Sequence, residues 1–154
     1  SYYWLREKGV KVEYQARGDD VFVQLDMTAD NMPNYRIIID TTPSGRAKSG
    51  SGVTERVILL RLFTGLKVSA QRKPQVLAAL NLHHSRVWAG TFVVNEEDGE
   101  LEAQWPLNIA GADATVQPET VFDAWYRLCS SWSDLFPKVA PILFGGAEAP
   151  RQGV

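Results

Sequence analysis

Few side chains in this chain have the types and spacing that chemistry needs. His83 and His84 are adjacent. On a helix, neighbours diverge by about 100°, so the two imidazoles do not share a metal the way an i, i+4 pair does. No third ligand stands near them in sequence. They read as a helix-end pair that meets free carbonyls and the helix dipole. Cys129, the sole cysteine, lies between Trp125 and Trp132, where a thiol is buried and inert. The run Ser44-Gly45-Arg46-Ala47-Lys48-Ser49-Gly50 has the look of a phosphate-binding loop. It lacks the Gly-Lys-Ser/Thr ending and precedes a strand-like run, Val53–Leu62, rather than a helix, so it reads as a surface loop. Glu96, Glu97, Asp98, Glu100 and Glu102 gather around one turn. Paired acids can move protons or hold a cation, but at an exposed turn they keep a hairpin soluble and discourage edge pairing. No catalytic, cofactor-binding or metal-binding set is predicted.

The tryptophans are more suggestive, with five in 154 residues. Trp125 and Trp132 fall on a helical stripe and read as core. Trp88 and Trp105 are expected on opposite arms of one hairpin, paired across it. If no helix of the same chain covers that face, it is an interface. Trp88 and Trp105 are therefore the candidate partner-binding anchors, with Glu96, Glu97 and Asp98 as a polar rim.

Several elements must position these residues. Tyr2–Lys8 reads as the end of a helix stopped by Gly9. Val10–Ala16 and Val21–Met27 alternate apolar and polar residues, as half-buried strands do. Asp30–Asn34 reads as a turn, and Tyr35–Asp40 as a third strand around Ile37-Ile38-Ile39. The stretch Thr42–Gly52 is rich in Pro, Gly and Ser and reads as a mobile loop. Glu55–Val68 is a longer strand with a break at Thr64-Gly65. A short helix then carries Val76, Leu77 and Leu80 inward, with His84 one turn on, and its apolar part ends at Leu80-Asn81. The arms Arg86–Val94 and Gly99–Trp105 form a hairpin around Glu97-Asp98-Gly99. Leu107–Val116 reads as a linker. Pro118 opens a long helix whose Val121, Trp125, Leu128, Trp132 and Leu135 recur at spacings of four and three, the strongest periodic signal in the chain. Pro137 and Pro141 are expected to end or bend it. The fold class is α+β: an antiparallel sheet of five or six strands against two or three helices. Residues 1–144 make one domain, and residues 145–154 a flexible tail.

Composition sets the outer bounds. An apolar fraction of 45% and a charged fraction of 22% are ordinary for a globular domain. A net charge of −2 with dispersed basic residues argues against nucleic-acid binding. A single cysteine fits a reducing, cytoplasmic compartment. The longest apolar run, Val76–Leu80, is far short of a membrane span, as is Val57–Leu60, so no membrane partner is expected. The chain begins at Ser1 without an initiator methionine, which is expected of a piece of a longer protein.

Several of these runs, taken in order, resemble one family. Leu77-Ala78-Ala79-Leu80-Asn81 resembles the leucine–asparagine helix end of the type III secretion chaperone-like superfamily, in particular its YbjN branch. Trp88-Ala89-Gly90-Thr91-Phe92-Val93-Val94 resembles the strand that follows there, and Glu97-Asp98-Gly99-Glu100-Leu101 its acidic hairpin. Pro106-Leu107 matches a leucine-proline-leucine strand end, with Trp105 in place of the first leucine. The helix from Pro118 to Phe136 and its Pro137 resemble the closing helix. The chain departs from the family at His83-His84-Ser85, and the likeness covers roughly Val76 to Leu143. It implies a small α+β homodimer that engages a protein partner and carries no reaction. The expected function is thus a non-enzymatic, chaperone-like or regulatory adaptor. Two alternatives stand beside it. One is a small-ligand or enzymatic domain with a pocket between the sheet and the last helix; the other is an accessory domain of a larger protein.

Overall fold

The computed structural model describes residues 11–17, 20–41, 55–110 and 117–145. The expected helix at Tyr2–Lys8, the 42–52 loop with its phosphate-loop likeness, and the tail after Gly145 lie outside them. Six strands form one antiparallel sheet in the order β1-β2-β3-β4-β6-β5. They are β1 (Lys11–Arg17), β2 (Asp20–Ala29), β3 (Met32–Asp40), β4 (Glu55–Lys67), β5 (Thr91–Val94) and β6 (Glu100–Ala110). Two helices, α1 (Lys73–Arg86) and α2 (Pro118–Leu143), complete the described elements.

Alternation in the strands becomes rows across the sheet. Leu25, Ile37, Leu62, Ala103 and Phe92 stand in register on five successive strands, and Val12 on β1 continues the row. All five of these side chains are buried. The next row, Val23, Ile39, Leu60 and Trp105, belongs to the same core face. A two-residue period places every second side chain on this face, and the helices pack there. The stripe of α2 meets it: Trp125, Leu128, Trp132, Leu135 and Val139 are all buried, with Trp132 only 1% exposed. Spacings of four and three keep one side of a 3.6-residue helix turned to the sheet for its whole length.

Several boundaries differ from the sequence expectation. The turn between β2 and β3 is confined to Asp30-Asn31, with Asn31 at φ 64°. Asparagine tolerates that left-handed conformation, so Met32, Pro33 and Asn34 join the strand. The break at Thr64-Gly65 is a bulge within β4, where register shifts between Phe63 and Lys67. There Gly65 adopts φ 71°, and the Thr64 hydroxyl donates to the Leu101 carbonyl at 2.6 Å. Helix α1 does not stop at Asn81 but runs to Arg86, because Val76, Leu80 and His83 form its buried stripe; Leu77 faces outward, 43% exposed. Val87–Gly90 form a connection rather than strand, so the first hairpin arm is short, Thr91–Val94. Residues Leu107–Ala110, expected as linker, extend β6 along β4.

Pro137 and Pro141 do not end α2. Each proline removes one helical N–H, which leaves the carbonyls of Ser133 and Pro137 without that donor. Ser133, Pro137 and Pro141 all lie on the exposed side, where water satisfies what the prolines free. At the far end of α2 the orphan carbonyls have a charged donor. Arg72, the residue that precedes α1, donates to the carbonyls of Ile142 at 2.9 Å, Leu143 at 2.7 Å and Gly145 at 3.3 Å. One guanidinium thus caps the end of one helix from the start of the other. Arg72→Ala is expected to lower unfolding free energy by about 1.5–3 kcal/mol, the usual loss when hydrogen bonds to a charged donor are removed. Urea denaturation checks this, and a change below about 0.5 kcal/mol contradicts the capping role.

Candidate protein-docking site

The hairpin of β5 and β6 turns through Glu96–Gly99. The Gly99 N–H donates to the Asn95 carbonyl at 2.8 Å, and the Asn95 N–H to the Glu100 carbonyl at 2.8 Å. Gly99 takes φ 75°, a conformation that costs a side-chain-bearing residue more than glycine. Two side chains brace the turn from within: Asn95 Oδ1 accepts from the Glu97 N–H, and Asp98 Oδ1 from the Glu100 N–H. That backbone donor holds the Asp98 carboxyl below its ordinary pKa. Lys67 at the end of β4 lies 3.4 Å from Asp98, and Lys73 at the start of α1 lies 2.7 Å from Glu96. The acidic tip is thereby tied to two other elements.

Asp98, Glu100 and Glu102 bring carboxylate oxygens within 4.8 Å of one another. Burial and the neighbouring Glu102 raise the pKa of Glu100. Lys67, 4.0 Å from Glu100, offsets part of the repulsion.

The two tryptophans do not face each other. Trp88 lies in the connection between α1 and β5, before the strand begins, and is 92% exposed. Trp105 pairs in register with Leu60 on β4 and packs against the core. Val87–Gly90, expected within the arm, form an irregular connection that takes Trp88 out of it. Glu96, Glu97 and Asp98 are exposed at the hairpin tip. The tight connection depends on Gly90, at φ 79°. A β-carbon there would stand 2.6 Å from Leu128 Cδ1, so α2 closes directly over this backbone.

Beside Trp88, the histidines join three elements. Neither lies beyond a helix end. His83 is 1% exposed, and its Nε2 lies 2.8 Å from Ser131 Oγ on α2. Its Nδ1 is buried with no hydrogen-bond partner. His84 Nε2 accepts the N–H of Phe92 at 2.9 Å. Because β5 ends the sheet, this ring occupies one donor of an edge strand. Phe92 then meets His83 edge-on at 5.6 Å and Trp132 at 5.9 Å, and Trp132 meets Phe136 at 5.5 Å. The rings run without a gap from α1 through β5 into α2. Sequence reading missed this junction, although the 76/80/83 spacing carried it.

Cys129 sits half-buried on α2 beside Tyr35, and burial pushes its thiol up to about 11. That thiol stays protonated and a poor nucleophile at neutral pH. Compared with known protein families and with curated proteins, the chain matches none.

Protonation of His83 would add a charge where no acceptor waits. Burial and the neighbouring Lys138 and His84 lower its pKa, against a smaller opposing pull from Asp134. The unfolded chain therefore takes up the proton first. Stability is intact above about pH 6.5, the unfolded value, and falls as pH drops below it toward the folded value. The urea midpoint is expected to fall between pH 7.5 and pH 5.5. His83→Gln, which keeps a donor toward Ser131, should lose less over the same interval. An equal loss in both proteins contradicts the assignment.

Proposed function

We propose that this chain is a non-enzymatic, homodimeric adaptor of the cytoplasm that holds an extended or unfolded segment of another protein. The observation that carries the reading is Trp88. Its large ring projects at 92% exposure from a connection fixed on both sides by α1 and β5. A rigidly mounted, exposed indole is what an interface uses as an anchor. Leu77 and Leu82, 43% and 50% exposed, add apolar surface on the helix that leads to it. Unfolded segments bind through scattered apolar anchors of this kind. The likeness of residues 76–143 to type III secretion chaperone-like proteins supports the same reading, and the lone cysteine supports a reducing compartment. No helix among the described residues is long and apolar enough to cross a membrane.

Trp105, packed on the core, serves stability rather than docking in this account. The two tryptophans should therefore separate. With a reduced, alkylated and permanently unfolded model protein as probe, Trp88→Ser should weaken binding tenfold or more, ~1.4 kcal/mol, and leave the melting temperature nearly unchanged. Trp105→Ser should lower unfolding free energy by ~2 kcal/mol, less than a fully buried tryptophan would cost. Unchanged binding by the Trp88 variant contradicts the docking role.

A further inference from the structure

Strand β5 is the last of the sheet, with β6 as its partner. The hairpin fixes which way its backbone groups point. The Asn95 N–H donates to the Glu100 carbonyl, so these two residues form a hydrogen-bonded pair. An antiparallel ladder alternates such pairs with pairs whose N–H and C=O groups point away from each other. Counting back from Asn95, Val93 turns its N–H toward Glu102 on β6, and Phe92, opposite Ala103, turns its N–H out of the sheet edge. That outward N–H donates to His84 Nε2 at 2.9 Å. The imidazole stands where a neighbouring strand would place a carbonyl.

Only one form of the ring can do this. To accept at Nε2 the imidazole must be neutral, with its proton on Nδ1. An imidazolium carries N–H on both nitrogens and has no lone pair for Phe92. Histidine is the side chain whose ordinary charge change falls between about pH 5 and pH 8. His84 is half-buried, so solvent protons reach it, whereas His83 beside it is 1% exposed. The His84 ring lies 6.4 Å from the Phe92 ring and within 24° of parallel to it. On α1 the His83 ring is 6.1 Å away, and Arg86 lies two residues on. Neither α1 nor β5 carries a carboxylate. From α2, Lys138 and Asp134 act on His83 with opposite signs.

We propose that His84 is a proton-controlled latch on the β5 edge: the neutral ring closes the edge by accepting the Phe92 N–H, and the imidazolium releases it. The latch is closed above the ring's titration and opens as pH falls through it. Opening leaves an edge-strand donor free to pair with another extended backbone. This role is independent of any docking at Trp88.

Amide hydrogen exchange of the full chain, read by NMR, tests the latch. Protection factors corrected for the pH dependence of intrinsic exchange are compared for Phe92 and Val93, whose N–H points to β6 and serves as the internal reference. Global unfolding exposes both amides, so their ratio isolates the local event. Between about pH 7.5 and about pH 5.5 the Phe92/Val93 ratio should fall about fivefold or more, as the loss of one hydrogen bond implies. His84→Gln, whose side-chain carbonyl accepts at every pH, should hold the ratio within about twofold. His84→Ala should show the low ratio already at the higher pH. A second measurement needs no variant. Long-range proton–nitrogen spectra should show His84 as the Nδ1–H tautomer at the higher pH, and the Phe92 amide shift should follow the titration of the ring. A constant ratio in the parent overturns the proposal, as does an equal fall in His84→Gln or a neutral ring with its proton on Nε2. If the variants do not fold, the tautomer and the shared titration decide.

Discussion

The structure depends on the fit between one helical stripe and one face of a sheet. The stripe of α2 repeats at four and three residues, and the sheet presents rows of Leu, Ile, Phe and Trp in register from β2 to β5. Each pattern is amphipathic and cannot bury itself alone. Together they hide Trp125, Leu128, Trp132, Leu135 and Val139 against the sheet. The remaining features serve this contact. Gly90 lets the backbone pass under Leu128, Arg72 finishes the far end of α2, and His83 pins α1 to Ser131. The same geometry leaves the other sheet face uncovered by the described helices.

Much of this was legible in the sequence, for physical reasons that differ by element. The α2 stripe was plain because five large apolar residues fix a single helical phase. Strand alternation was plain because a half-buried strand has only two faces. The break at Thr64-Gly65 was visible because glycine there admits a left-handed backbone, and it is a bulge. The end of α1 was misplaced because the buried stripe was drawn through Leu77 and His84, whereas it runs through Val76, Leu80 and His83. A neutral imidazole with a hydroxyl partner can occupy a core position that a charged one cannot. A separate error, reading Val87–Gly90 as strand, set Trp88 opposite Trp105; the left-handed Gly90 belongs to a connection instead. The prolines of α2 misled for a different reason. Their cost depends on whether the carbonyls they free face solvent, which sequence alone does not state. Arg72 was one basic residue among many, and its role exists only once two helix ends meet.

Trp88 is held out from a junction made rigid by Phe92, His84 and Trp132, and an anchor on a rigid mount loses little entropy when it binds. The His84 ring occupies an edge-strand donor close by, which discourages indiscriminate strand pairing where an extended segment would lie.

Hydroxyl-radical footprinting of the full chain, with and without a saturating, permanently unfolded model protein, tests the account most directly. In the free protein Trp88 should oxidise far faster than Trp105, Trp125 and Trp132. In the complex its rate should fall several-fold while that of Trp105 stays constant. A complex that forms and leaves Trp88 as reactive as before would contradict the central claim that this side chain is the docking anchor.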